Sequence, residues 1–268
     1  MAQNILFSSE FDATRVNFEK AKSQKEGGST KSSRISYNYD DSGDTEPLLI
    51  QTAPMKVPFG IANNEKWIKE GEIANKWDVR LSFQGEERNK KIQRFRKAFE
   101  QLEAVVVQKC LDNCTEWLED DDHDMKTIKK SFTSSIKKQS AKSKEKSGVE
   151  YPDMFKTKVP FNKENTEPNN YIKFYDENQQ ETTWESVVPG CTVVCLVNVS
   201  SVWLSPGPGT FGVTSRLSQM QIFPAKRVSG FQIRKETEYG EEEEEEEDED
   251  SIEGGDGEEV VEVESDEE

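Results

Sequence analysis

The sequence predicts a mainly β fold with one helical insertion (α+β), closing as a small antiparallel barrel and followed by a disordered acidic tail. Three observations carry this expectation. Apolar and polar residues alternate with a period of two in several short segments. The period changes to three- and four-residue steps over one stretch, and acidic charge gathers at the C-terminal end.

Residues 1–34 are polar and broken by Gly27-Gly28, so they are expected as a flexible N-terminal segment. Ile35-Ser36-Tyr37 predicts a short edge strand. Residues 47–51 and 55–60 look extended, although Pro47 and Pro58 bar a regular central strand throughout. Trp77, Val79, Leu81 and Phe83 alternate with Asp78, Arg80 and Ser82, as in a strand with one buried face. From about Glu87 the residues Ile92, Phe95, Phe99, Leu102, Val106 and Cys110 mark an amphipathic helix. It continues toward Cys114 and Trp117 and ends near Asp120-Asp121-Asp122. A second, weaker helix uses Ile128, Phe132 and Ile136, so the insertion covers about 87–138. The Ser- and Lys-rich stretch 137–148 reads as a loop.

Strand signals then return at 154–160, 171–175 and 192–204. Ser205-Pro206-Gly207-Pro208-Gly209 is a turn, and 211–223 is a returning strand. Several short strands around one helical insertion give a barrel of about five strands.

The formal net charge of −18 averages two unlike parts. Residues 236–268 hold 21 acidic residues and no basic one. The rest has 35 basic against 32 acidic residues, a balance of +3. A mildly basic body with a polyacidic appendage points to a polyanionic partner for the body. The start of the chain lacks the basic and apolar run of a secretory signal, and no stretch approaches the roughly 20 apolar residues of a membrane span. With four cysteines that lack the dense spacing of a disulfide framework, this predicts reduced thiols, an intracellular setting and no membrane association.

An enzyme is not expected. The single histidine, His123, lies between Asp122 and Asp124 in an acidic stretch that reads as an exposed helix end. No phosphate-binding Gly-rich loop, zinc-binding His-Glu-x-x-His or nucleophile elbow occurs. Cys110, Cys114, Cys191 and Cys195 could formally surround zinc, but they fall on apolar positions and read as core packing. No cofactor and no metal are therefore expected.

Binding residues are more legible. Arg88, Lys90, Lys91, Arg94, Arg96 and Lys97 crowd the start of the first helix, and eleven lysines lie between Lys126 and Lys163. On the segment 171–175, Tyr171, Lys173 and Tyr175 share one face while Ile172 and Phe174 serve the core. Rings interleaved with cations suit single-stranded nucleic acid, because bases stack on the rings while cations follow the phosphates. Tyr171, Lys173 and Tyr175 are the foremost candidate contacts, followed by Arg94, Lys97, Trp203, Phe211 and Arg216. Tyr37, Trp77 and Phe83 are further rings, with Trp77 and Phe83 assigned to the core. The tail reads as a tethered polyanion that competes for the same groove and recruits partners once displaced.

Pro47-Leu48-Leu49-Ile50-Gln51-Thr52, Met55-Lys56-Val57-Pro58-Phe59-Gly60-Ile61 and the run from Phe211-Gly212-Val213-Thr214 to Gln219 together carry a family likeness. From about Ile35 to Ile233 the chain resembles the single-stranded DNA-binding proteins of nucleocytoplasmic large DNA viruses. The resemblance implies an OB-like domain over 35–235 that binds single strands during viral genome replication, recombination or repair. It places the protein in the host cytoplasm or nucleus, with replication or repair proteins as partners of the tail; RNA is left open as a ligand. The tail also looks like those of phage and bacterial single-strand binders, but it ends Ser265-Asp266-Glu267-Glu268 without their terminal aromatic or apolar residue, and the position near Ser215 lacks an expected aromatic. An acidic chaperone of basic proteins and a virion structural protein are the alternatives.

Overall fold

A computed structural model describes residues 4–24, 28–40, 43–63, 76–119, 124–162, 164 and 166–225, all within the unit Met1–Lys226. The unit Arg227–Glu268 lies outside the described residues, and with it the expected disordered tail. His123 and its expected exposed helix end lie outside them too.

The strands, in chain order, are β1 (Leu6–Phe7), β2 (Val16–Phe18), β3 (Lys22–Ser23), β4 (Lys31–Tyr37), β5 (Leu48–Gln51), β6 (Met55–Lys56), β7 (Ile61–Asn63) and β8 (Trp77–Ser82). Then follow β9 (Phe132–Thr133), β10 (Ile136–Lys137), β11 (Met154–Lys158), β12 (Lys173–Tyr175), β13 (Glu181–Thr182), β14 (Thr192–Ser205) and β15 (Thr210–Phe223). Between β8 and β11 lie the helices α1 (Lys90–Asp112), α2 (Cys114–Leu118), α3 (Met125–Ser131) and α4 (Ala141–Ser147).

β14 and β15 form a long hairpin around the Pro-Gly turn, with ladder breaks at Leu196/Val197 and Val199/Ser201. The ring β14–β15–β11–β8–β6 returns to β14 and closes a five-stranded, OB-like barrel. Four of the five junctions in the ring are antiparallel, and β11 pairs with β15 in parallel through Lys158 and Arg216. The reason is geometric: directions cannot alternate around a closed ring with an odd number of strands, so one neighbouring pair must run parallel.

The interior follows from side-chain alternation. Val79 and Leu81 of β8, Phe155 and Thr157 of β11, and Val193, Cys195 and Val197 of β14 point inward and are buried. α1 begins at Asn89, whose side chain accepts from the backbone N–H of Lys91 and Ile92 at 3.0 and 3.4 Å. Its apolar stripe packs on the barrel, with Phe95 and Phe99 meeting Phe155 at centroid distances of 5.1 and 4.4 Å. The helix ends earlier than expected. Asn113 leaves helical geometry, and α2 restarts the turn that buries Trp117.

Other expectations are also revised. Within the N-terminal segment expected to be flexible, β1 pairs with β5 and β2 with β4, burying Leu6 and Val16. β4 is not an edge, since it lies between β14 and the β2 and β3 strands. The weak second helix stops at Ser131, because Phe132 turns extended and pairs with β15. The stretch 137–148 contains the helix α4 in place of a plain loop.

Glu103 of α1 is a buried carboxylate that accepts from Ser134 Oγ and the Ser135 N–H, both at 2.7 Å, tying the α3–β10 connection to the helix. Burial pushes its pKa above the ordinary 4.5, only partly opposed by these hydrogen bonds. The folded state therefore holds the Glu103 proton more tightly than the unfolded chain, so its contribution to stability rises as pH falls through the raised folded value toward 4.5. The wild type should gain stability relative to Glu103→Gln over that pH interval, measured by urea unfolding. Phe155→Ala should lower stability by about 3–5 kcal/mol, read as a lower urea midpoint at unchanged slope.

Candidate nucleic-acid interface

Closure of the barrel puts two strands end to end along one edge of β15. β11 meets it at Arg216 through Lys158, and β12 meets it further along, Lys173 opposite Gln219 and Tyr175 opposite Gln221. Because Phe155 and Thr157 face the core, Lys156 and Lys158 face outward beside Arg80 of β8 and Lys137 of β10. Five cations, Arg80, Lys137, Lys156, Lys158 and Arg216, thus share this outer face, with Asp78 opposite Lys158. That carboxylate takes Lys156 at 2.8 Å and Arg80 at 3.3 Å. Among the described residues neither Lys158 nor Arg216 has a carboxylate partner. The Lys158 side chain is exposed overall, yet its ammonium is partly desolvated. That desolvation, with Arg216 and Lys156 nearby, pushes its pKa below the ordinary 10.5.

The tyrosine-bearing segment is oriented as its alternation predicts. Ile172 and Phe174 are buried, Lys173 and Tyr175 are half-buried on the outer face, and Tyr171 is 61% exposed in the turn before β12. Tyr171 Oη accepts from Asn169 Nδ2 at 3.2 Å. Lys173 is not an open cation: its ammonium contacts Glu181 of β13 at 2.5 Å, which raises its pKa above the ordinary value.

From Tyr175 a trough crosses the sheet over Gln219, Gln221, Val194 and Gln51. A second hollow shares Gln51 and Val194 with it and continues to Phe7, Lys91 and Arg94. Arg94 therefore joins Tyr175 along one surface. Lys97 is exposed one turn further along α1 and does not line the hollow.

One candidate ring is corrected and a second stands apart from the others. Phe211 is 0% exposed and packs on Phe132 at 5.3 Å, because its inward alternation on β15 places it in the core. Trp203 is half-buried over its cross-strand partner Gly212, where an added Cβ would meet the ring at 3.0 Å. Its register lies nine residues along β15 from that of Tyr175, about 30 Å away. Tyr37 is buried too, its hydroxyl accepting from the Asp12 N–H at 3.0 Å. Ser215 faces inward and donates to the Lys156 carbonyl at 3.4 Å, so an aromatic there would not meet a ligand on the outer face. Arg96, in the basic helix start, is occupied by Glu86 and Asp153 at 2.7 and 3.0 Å.

Arg80, Lys137, Lys156 and Lys158 were not singled out by the sequence. Their signal was the alternation within β8 and β11, read for its apolar half alone. The cysteines fit the core: Cys110, Cys191 and Cys195 are buried, and burial raises their thiols, that of Cys110 to about 12. Such thiols resist the deprotonation that metal binding requires. No group of three or more potential metal ligands occurs among the described residues.

No protein-family model and no curated protein matches the chain. Solved structures with a similar outline include gp2.5, a single-stranded DNA-binding protein encoded by bacteriophage T7, at TM-score 0.37 and 10% identity, covering 69% of this chain and 97% of that one. The single-stranded DNA-binding protein from bacteriophage Enc34 aligns at TM-score 0.39 and 12% identity, covering 80% and 93%. Its C-terminal truncation aligns equally well, covering 80% and 98%. Likeness at these TM-scores carries no weight for this chain's function, which must come from its own residues.

The lowered pKa of Lys158 has a measurable consequence. Heparin affinity at fixed ionic strength should fall as pH rises from neutral toward 10.5, because a polyanion favours the charged form that Lys158 loses early. Lys158→Arg should flatten that fall.

Proposed function

We propose that this protein binds single-stranded nucleic acid, DNA in the first instance, with little regard for sequence. The carrying observation is the outward row Arg80, Lys156, Lys158 and Arg216, continued along the same strand edge by Lys173 and Tyr175. Phosphates follow the row, because neutralising them releases condensed counterions. Tyr171 and Tyr175 offer faces on which bases of any kind can stack. The trough toward Phe7 and Arg94 extends the path, and its glutamine-rich floor can hydrogen-bond bases without demanding one pattern.

On this reading the protein coats exposed strands and keeps them unpaired. The resemblance noted in the sequence makes viral genome replication, recombination or repair the setting, inside the host cell. The polyacid of residues 236–268 competes for the cationic row from a tethered position and, once displaced, offers itself to replication or repair proteins. The activity is binding, with no catalytic step and no cofactor.

Fluorescence titration with oligodeoxynucleotides at low salt tests the reading. Binding should weaken with salt at a slope of about −0.7 per phosphate neutralised. The double variant Lys156→Glu/Arg216→Glu should weaken binding and make that slope shallower by about 1.4. Removing residues 236–268 should strengthen oligonucleotide binding. No binding by the shortened chain at low salt would end the proposal, and loss of binding to basic proteins on the same deletion would favour the acidic-chaperone alternative.

A further inference from the structure

The cationic row ends, beyond Arg80 and Lys156, at a cleft of 570 Å³ that the row itself does not explain. Its walls are Pro58 and Phe59 on one side and Tyr151, Pro152 and Met154 on the other, with Arg80 at the rim. Phe59 is 57% exposed and Tyr151 53%, two large rings left in solvent beside an apolar hollow. Neither lies on a loose segment. Val57 on the Phe59 side is held by backbone hydrogen bonds from its N–H to Cys191 and from the Gly190 N–H to its carbonyl, at 2.9 and 2.8 Å. Gly60 turns at φ +70° so close to the Val187 carbonyl that a Cβ would sit 2.8 Å from it. On the other side Gln139 grips the backbone twice, accepting from the Tyr151 N–H and donating to the Val149 carbonyl, both at 2.9 Å. Rings exposed on anchored backbone are preorganised for a flat apolar ligand.

Charge says which ligand. Arg80 lines the cleft and Lys156 stands opposite it across the β8–β11 ladder, both next to Asp78. The far side of Tyr151 borders a separate hollow that carries Glu86, Glu87, Glu150 and Asp153 against a single cation, Arg96, which pairs with Glu86 and Asp153. A polyanion is drawn to one side of the Tyr151 ring and repelled from the other. Gln84 places an amide group among the lining residues, able to meet the polar edge of a heterocycle.

We infer that the Phe59–Tyr151 cleft is a base-capture subsite, taking an unpaired nucleobase whose phosphate is held by Arg80 and Lys156. The inference rests on the single-strand-binding reading and adds to it a fixed end of the track. The acidic hollow beyond Tyr151 stops the backbone there, so a strand enters from the Arg216 side and terminates its contacts at this base.

The test uses the full chain and a thymidine oligomer carrying one photoreactive 5-iododeoxyuridine, with crosslinks mapped by mass spectrometry. Crosslinks at Tyr151 or Phe59 are expected, and crosslinks confined to Tyr171 and Tyr175 would overturn the subsite. Phe59→Ala/Tyr151→Ala should weaken oligomer binding about 5- to 150-fold, the loss of one stacked base, while leaving the salt slope unchanged because no phosphate contact is removed. Its melting temperature should match the wild type, since both rings are surface groups. Phe59→Trp/Tyr151→Phe should retain affinity. If the wild type binds and the alanine variant binds equally well, the subsite fails while the broader function stands; if neither the wild type nor the chain lacking residues 236–268 binds at low salt, both fall.

Discussion

The parallel junction between β11 and β15 is the constraint on which the outer surface depends. Five strands cannot close with alternating directions, and the single parallel pair falls where Lys158 meets Arg216. Placing it there leaves β12, which also runs parallel to β15, to occupy the next stretch of the same edge. Segments separated by the long connection 159–172 thus become one line of outward positions. A cationic row and a tyrosine-bearing strand share a surface because of that closure.

The same closure decides what is hidden. Phe155 fills the barrel on the inner side of the strand whose outer side carries Lys156, and Phe95 and Phe99 of α1 seal it. With its interior supplied by these rings and by the β14–β15 hairpin, the barrel leaves Arg80, Lys156 and Lys158 on its outer side. Glu103 fixes the chain after α3 and so sets where β10 joins β11, which brings Lys137 to Lys156. Burial of one carboxylate is linked in this way to the position of a surface cation.

Electrostatically the surface is partly pre-paired. Asp78 holds Arg80 and Lys156 in place, and Glu181 holds Lys173. Such pairs contribute little stability at a solvated surface, but they restrict long side chains to positions near the strand. The Lys158 ammonium is partly desolvated and has Arg216 and Lys156 for neighbours, and burial first and their repulsion second lower its pKa. Cations of both kinds stand along one track: some held by carboxylates, others answered by none among the described residues.

How much of this the chain announces beforehand varies by element. Alternation over 171–175 and 78–81 matches the inward and outward faces, although Ser82, expected outward, is buried; the period change near Glu87 located α1, because these are local properties of strand and helix geometry. Phe211, a candidate contact in the sequence, faces inward on β15 and packs on Phe132, which lies far away in sequence. Residues near Ser8 and Val16 looked too polar to order, yet they gain their hydrogen bonds from β5 and β4. The segregation of charge, the barrel class and the ring–cation alternation of β12 were thus determined by sequence alone. Which cations stand together, and which rings remain outside, was decided only by strand pairing between distant segments, because neighbours across a sheet leave no periodic trace along the chain.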